Sequence, residues 1–194
     1  LKFSDAQQKQ ENQIKAVRSF IAQGVDGILL APVVETGWDQ VLKEAKDAGI
    51  PVVLIDRGVA ADESLYLTKV ASDFVQEGAL AASWLAAKTS GVCDLVELQG
   101  TVGSSAANDR KAGFQAVIDN FPSMKILRSQ SGDFTRSGGK EVMESFLKAE
   151  NGGKGICAVY AHNDDMALGA VQAIKEAGLE PGKDILIVSI DGVP

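Results

Sequence analysis

The chain has 194 residues, is 45% hydrophobic and carries 19 basic against 26 acidic side chains, a net charge of −7. That length supports one large or two small domains with real cores, and the absence of a Lys/Arg cluster argues against a nucleic-acid partner, whose phosphates demand a basic surface. No apolar stretch approaches the roughly 18 to 20 residues of a membrane span, and no basic n-region followed by an apolar h-region opens the chain.

In chain order the segments alternate between short β-rich runs and longer amphipathic ones, the pattern of a parallel sheet wound with helices. Strands are expected at 1–5, 27–33, 51–57, 65–72, 94–100, 125–131, 158–163 and 185–191. Most are continuously apolar, which predicts cover on both faces. Helices are expected between them, including 8–23, where Ile14, Val17, Phe20 and Ile21 share a face, and 166–177, where Ala167, Ala170, Val171, Ile174 and Ala177 do. Gly24, Gly49 and Gly178 each fall where a helix should stop. Strand 51–57 is followed by "GVAADES" and another strand without a helix between them, and helix 76–88 then starts a fresh series of β/α units. The expected domains are therefore 1–73 and 74–194.

Ligands of open parallel sheets bind beyond the carboxyl ends of the strands, where loops converge and helix N-termini point inward. Those ends are unusually polar here: Asp5; Asp56 and Arg57; Ser72 and Asp73; Gln99 and Gly100; Ser131 to Phe134; Asn163 and Asp164; Asp191. Asp164 or Asn163 can cap the helix that follows. Asn163 with Asp191, Asp56 and Arg57 would offer donors and acceptors in several directions. Such a mixture suits a neutral polyhydroxylated ligand, since each hydroxyl both donates and accepts. Arg57 and Arg110 supply forks, Asp56, Asp133 and Asp191 supply acceptors, and Phe134 can cover a C–H face. The bland alternative for the two arginines is a surface or cap ion pair.

Signs of catalysis are thin. His162 is the only histidine and ends an apolar strand, where a packed, hydrogen-bonded role is commoner than catalysis. Asp164 and Asp165 are consecutive at a helix start and point apart. There is no GxSxG elbow, "GDFTRSGGKE" fails the P-loop spacing, and "GTVGSS" is not GxGxxG. Trp38 and Trp84 fall within expected helices and read as packing. Cys93 and Cys157 lack CxxC spacing and are too few for a disulfide scaffold, which makes zinc improbable. No catalytic residue, metal or cofactor is assigned.

"LIDR" at 54–57, "GTVGSSAANDRKAGF" at 100–114, "SGDFTRSGGKEVMESFLKA" at 131–149, "YAHNDDMALGAVQAIKEAG" at 160–178 and "ILIVSIDGVP" at 186–194 stand in register. Together they resemble the ribose/galactose class of periplasmic sugar-binding proteins, the galactofuranose-binding branch most of all. The resemblance runs over essentially the whole chain. It implies an α/β fold of two Rossmann-like lobes, the type I periplasmic binding protein architecture, closing on a sugar in the cleft between them. It carries Asp56, Arg57, Arg110, Asp133, Phe134, Asn163 and Asp191 into sugar contact, with Asn163 reaching the ligand and Asp164 capping the helix behind. Members usually begin with a further strand and helix and continue past the "DG" strand, so N- and C-terminal parts are expected beyond these residues. Where the family often has Asp-Asn before the first helix of the second lobe, this chain has Asp73-Phe74, expected to weaken a cap without touching the site.

The function implied is extracytoplasmic, periplasmic capture of a monosaccharide, galactofuranose or a related pentose or hexose, by a monomer that delivers it to an ABC transporter permease. The membrane would be reached only through that permease. The rival from another class is the sugar-effector domain of a LacI-type transcription regulator, which shares the fold. In the strand order 2-1-3-4 of such a lobe, Cys93 and Cys157 precede adjacent parallel strands, and in an oxidising periplasm they are expected to pair. Two unrelated buried thiols are the alternative.

Overall fold

A computed structural model describes residues 1–193 of the chain. The chain divides into two compact units, residues 1–72 with 103–106, and residues 73–102 with 107 onward.

The first unit contains α1 (Gln10–Ala22), β1 (Ile28–Leu30), α2 (Asp39–Asp47), β2 (Val52–Ile55), a 3-10 turn at Glu63–Leu65 and β3 (Thr68–Val70). Its strands are parallel in the order β1-β2-β3, with Leu30 opposite Leu54 and Ile55 opposite Val70. Alternation sends Ile28, Leu30, Val52 and Leu54 to one face, where they pack with Val17 of α1 and Val41, Leu42 and Ala45 of α2. Trp38, expected inside a helix, sits at the N-cap of α2 with its ring fully buried and its Nε1–H donating to the Val34 carbonyl at 2.7 Å. The expected strand at 1–5 does not form. These residues are irregular and exposed, and among the described residues no strand pairs with them, so extended backbone there would leave both edges unbonded.

The second unit alternates without exception: α3 (Phe74–Thr89), β4 (Val92–Gln99), α4 (Ser105–Ile118), β5 (Ser123–Ser131), α5 (Arg136–Ala149), β6 (Ala158–Ala161), α6 (Asp164–Glu176) and β7 (Leu186–Val188). All pairings are parallel, in the order β5-β4-β6-β7, which is the 2-1-3-4 arrangement expected. Successive residues of the central strands serve opposite faces. Val96, Leu98, Val159 and Ala161 meet α5 and α6, while Leu95, Ala158 and Tyr160 meet α3 and α4. Glu97 and His162 belong by this parity to the α3/α4 face, beyond Tyr160, whose ring stacks on Phe114 at 4.0 Å between centroids.

In the second unit the α3–α4 and α5–α6 pairs cross at glycines. A Cβ on Gly113 of α4 would stand 1.9 Å from the Val75 carbonyl oxygen of α3, and one on Gly169 of α6 would stand 2.1 Å from the Arg136 oxygen of α5. Neither distance leaves room for any other residue, so these glycines set how closely the helices approach. At the amino ends of β4 and β6, Cys93 and Cys157 form a disulfide with Cα atoms 5.4 Å apart.

Candidate functional site

Arg110 is the hub of the second unit. One turn into α4 and 7% exposed, its guanidinium cannot remain without partners, and it has them on three sides. Nε donates to Glu77 Oε2 of α3 at 2.9 Å, Nη1 to the His162 carbonyl at 2.8 Å, and Nη2 to Asp191 Oδ1 at 3.4 Å. Two aromatic rings flank the charge, Phe74 at 5.0 Å and Phe134 at 5.9 Å from the guanidinium carbon to the ring centroids, within the range of cation–π attraction. The fork is thereby fixed in one orientation at the carboxyl ends of β4 and β6. A bland surface ion pair does not describe it.

Four of the five residues expected in this unit come together around that fork: Arg110, Phe134, Asn163 and Asp191. Asn163 Nδ2 donates to the Phe134 carbonyl at 3.2 Å, joining the ends of β5 and β6. Asp133 is exposed on the same loop, tied to it through Ser131, whose hydroxyl is 3.1 Å from both the Asp133 carboxylate and its backbone N–H. The cap expected of Asp164 is made by Asn163. Asn163, with extended backbone, is the N-cap of α6, its Oδ1 accepting from the Met166 N–H at 3.0 Å. Asp164 is already the first helical residue. Its carboxylate turns to the final strand's loop, accepting from the Ser189 hydroxyl and from the backbone N–H groups of Gly192 and Val193 at 2.7 and 2.9 Å. Asp164 therefore braces the loop that carries Asp191.

Phe74 corrects a second expectation. Asp73 does cap α3, accepting from the Gln76 N–H at 2.9 Å, and Phe74 is buried against the Arg110 guanidinium rather than remote from it. Glu77, one turn on, is Arg110's strongest ion-pair partner. Neither residue was selected from the sequence, because both act through a helix packing that residue spacing along one element does not reveal.

In the first unit Asp56 and Arg57 end β2. The Asp56 N–H bonds to the Val70 carbonyl at 2.9 Å, Arg57 Nη1 donates to the Val33 carbonyl at 3.1 Å, and the two side chains are 3.7 Å apart. The Arg57 side chain is mostly buried and that of Asp56 mostly exposed.

Backbone strain marks the same residues. Asp56, Asp133, Phe134 and Asp191 have φ of 64°, 54°, 59° and 120°, and they are half of the eight non-glycine residues in the left-handed region among the described residues. Such conformations cost of the order of 1 kcal/mol or more each, and persist where surrounding structure dictates them, commonly at binding sites.

His162 is fully buried, as its position suggested. Its Nδ1 accepts from the Gly100 N–H at 3.3 Å and its Nε2 lies 3.1 Å from Glu97 Oε1, which assigns the proton to Nε2. Burial, opposed by Glu97, holds the imidazole below its ordinary pKa. Burial pushes the Glu97 carboxyl up, but hydrogen bonds from His162 and Ser129 outweigh it and leave the group below its ordinary value. The pair is thus neutral imidazole and carboxylate. Two open surface depressions, one beside Cys93 and Cys157 and one beside Pro51 and Tyr66, lie at strand beginnings and gather no buried polar groups comparable to those at Arg110.

The periplasmic binding protein domain model matches residues 1–194. The galactofuranose-binding protein YtfQ of Escherichia coli (strain K12) is 68% identical over 196 residues, covering 100% of this chain and 62% of its own length. The ribose import binding protein RbsB of Bacillus subtilis (strain 168) is 39% identical, covering 97% of this chain and 58% of its own length. Among solved structures, the periplasmic binding protein component of the arabinose ABC transporter from Shewanella sp. ANA-3, bound to alpha and beta-L-arabinofuranose, is 70% identical with a TM-score of 0.97, covering 100% of this chain and 64% of that one. The chain therefore spans less than two thirds of the length of these relatives.

Proposed function

The chain belongs to the periplasmic binding protein domain family, and from that premise we propose that it captures a neutral monosaccharide outside the cytoplasm and passes it unchanged to an ABC transporter permease. The observation that carries this reading is the Arg110 fork, buried, fixed by Glu77, His162 and Asp191, and flanked by Phe74 and Phe134. A rigid array of donors and acceptors beside an aromatic face is what a polyol with one apolar side needs. Asp56, Arg57, Asp133 and Asn163 complete the proposed contacts. A furanose ring is favoured, because galactofuranose and arabinofuranose are named for relatives 68% and 70% identical. Binding without reaction is supported by the imidazole, which is fully buried and committed to Glu97 and Gly100. The protein is proposed to work as a monomer, meeting the membrane only through the permease. None of the helices is long and apolar enough to cross a membrane, counted among the described residues.

The test is calorimetric titration with L-arabinose, D-galactose and D-ribose at low and high salt. Saturable binding of at least one sugar is expected, with an affinity nearly independent of salt because the ligand is uncharged. Absence of heat and of thermal stabilisation with all three, or selective binding of an anionic ligand that weakens steeply with salt, would refute the reading.

A further inference from the structure

Glu97 and His162 form an ion-pair-capable contact with no solvent exposure on either side chain, and sugar capture as proposed gives the two no direct part. Glu97 is saturated by more than His162. Its Oε2 accepts from the Ser129 hydroxyl and from Gln99 Nε2 at 3.2 Å, with Lys111 Nζ at 3.9 Å. For the neutral imidazole a carboxylate so placed selects one tautomer, with the proton on Nε2 and a lone pair on Nδ1. That lone pair receives the Gly100 N–H.

Gly100, itself buried, is where this connection meets the aromatic ring. A Cβ there would lie 2.0, 2.3 and 2.4 Å from Cζ, Cε2 and Cε1 of Phe134, so the ring rests directly on the Gly100 backbone. The Ser131 hydroxyl holds the other side of that residue, donating to the Gly100 carbonyl at 2.6 Å. Meanwhile the His162 carbonyl anchors Arg110 Nη1 at 2.8 Å. One residue thus sets both the shelf under the aromatic ring and the seat of the guanidinium.

We propose that His162 is a positioning residue for the sugar site: Glu97 fixes its tautomer, its Nδ1 fixes the Gly100 backbone, and Gly100 sets the height of the Phe134 ring. The inference rests on the proposed sugar-binding reading, and a ring held to a fraction of an ångström is what a stacking contact requires.

The two imidazole contacts can be separated by substitution. An Asn amide oxygen sits where Nδ1 does and can accept from Gly100, while a Gln amide nitrogen sits where Nε2 does and can donate only toward Glu97. His162→Gln should lower the affinity for L-arabinose about tenfold, roughly 1.4 kcal/mol. His162→Asn should bind at least threefold more tightly than His162→Gln, although it leaves Glu97 without its imidazole and melts no higher. A packing role alone predicts affinities that follow the melting temperatures, and equal losses in the two variants overturn the proposal. A second measurement needs no sugar. The Phe134 ring current should shift the Gly100 Hα protons upfield in wild type and in His162→Asn, and this shift should collapse in His162→Gln. Retention in both overturns the proposal. A third needs no variant: with a single histidine in the chain, the imidazole nitrogen resonances report His162 alone, and a protonated Nδ1 at neutral pH overturns it. If wild type binds none of the sugars, the functional reading has failed, while the ring-current and nitrogen measurements still decide the positioning.

Discussion

Reduction of the Cys93–Cys157 disulfide should destabilise the second unit without touching its ligand chemistry. The bridge closes a loop with a sequence separation of 64 residues, for which the chain-entropy relation gives about 4 kcal/mol at 25 °C as an upper figure. In a chain of this size a kcal/mol corresponds to roughly 2–4 °C in Tm, so a fall of about 8–16 °C is the ceiling. Gln99 lies six residue steps along β4 from Cys93, about 20 Å at the rise of a strand. The staple therefore holds the amino ends of β4 and β6, while Arg110, Phe134 and Asn163 cluster at their carboxyl ends. Thermal melts of the native protein and of the Cys93→Ala/Cys157→Ala double variant, each with a sugar titration below the lower Tm, check both halves of the statement. Freshly purified protein with two alkylatable thiols would refute the bridge. A double variant that melts like wild type, or that loses affinity in step with Tm, would refute the reasoning about where its energy acts.

Gly113→Ala should cost about 3 kcal/mol, the upper end of ordinary overpacking penalties, because a Cβ placed 1.9 Å from the Val75 carbonyl forces α3 and α4 apart. A denaturant midpoint unchanged from wild type would contradict the account of the helix crossing. Stability should also fall with acidity. His162 is held below its ordinary 6.5 by burial, so its folded form resists the proton that the unfolded chain accepts; its contribution is full above about pH 6.5 and declines as pH drops below that value. Glu97, lowered from its ordinary 4.5 despite burial, adds a loss of the same sign further down as its carboxylate is protonated. The groups facing the imidazole are Glu97 of β4, Tyr160 of β6, and Arg110 and Lys111 of α4; the two cations oppose its protonation as burial does. Melting curves from pH 8 to 4 should decline in wild type and be flatter between pH 7 and 5.5 in His162→Asn, whereas identical slopes would remove His162 from the explanation.

Much of this was legible because buried parallel strands announce themselves. The apolar run "AVYA" located β6 and the β-rich run "LVEL" located β4, and the polar residues directly after them located the sheet's carboxyl ends. The alternation of β and α elements in the second unit followed from the same signal. Strand 1–5 was misread because apolar alternation shows what a segment can bury, not whether a neighbouring strand exists to bond it. The cap fell to Asn163 rather than Asp164 because both residue types cap helices well, and only the backbone decides which of two adjacent residues is the last extended one. Phe74 and Glu77 stayed hidden since their partner, Arg110, lies 33 or more residues away and reaches them only through the close α3–α4 crossing allowed by Gly78 and Gly113. The positive φ of Asp133 and Phe134 was equally silent, because nothing in either residue type demands it.

The central claim is that a fixed Arg110 fork in this chain recognises a neutral sugar, and the affinity of Arg110→Ala against that of wild type for the same monosaccharide tests it most directly. Removing the guanidinium takes a donor from Glu77, Asp191 and the buried His162 carbonyl as well as from the ligand, and a buried group left unpaired costs about 1–3 kcal/mol. Calorimetric titration of L-arabinose should show at least a hundredfold loss, about 3 kcal/mol, while the protein remains folded by circular dichroism. A folded Arg110→Ala protein that binds the sugar as wild type does would contradict the account.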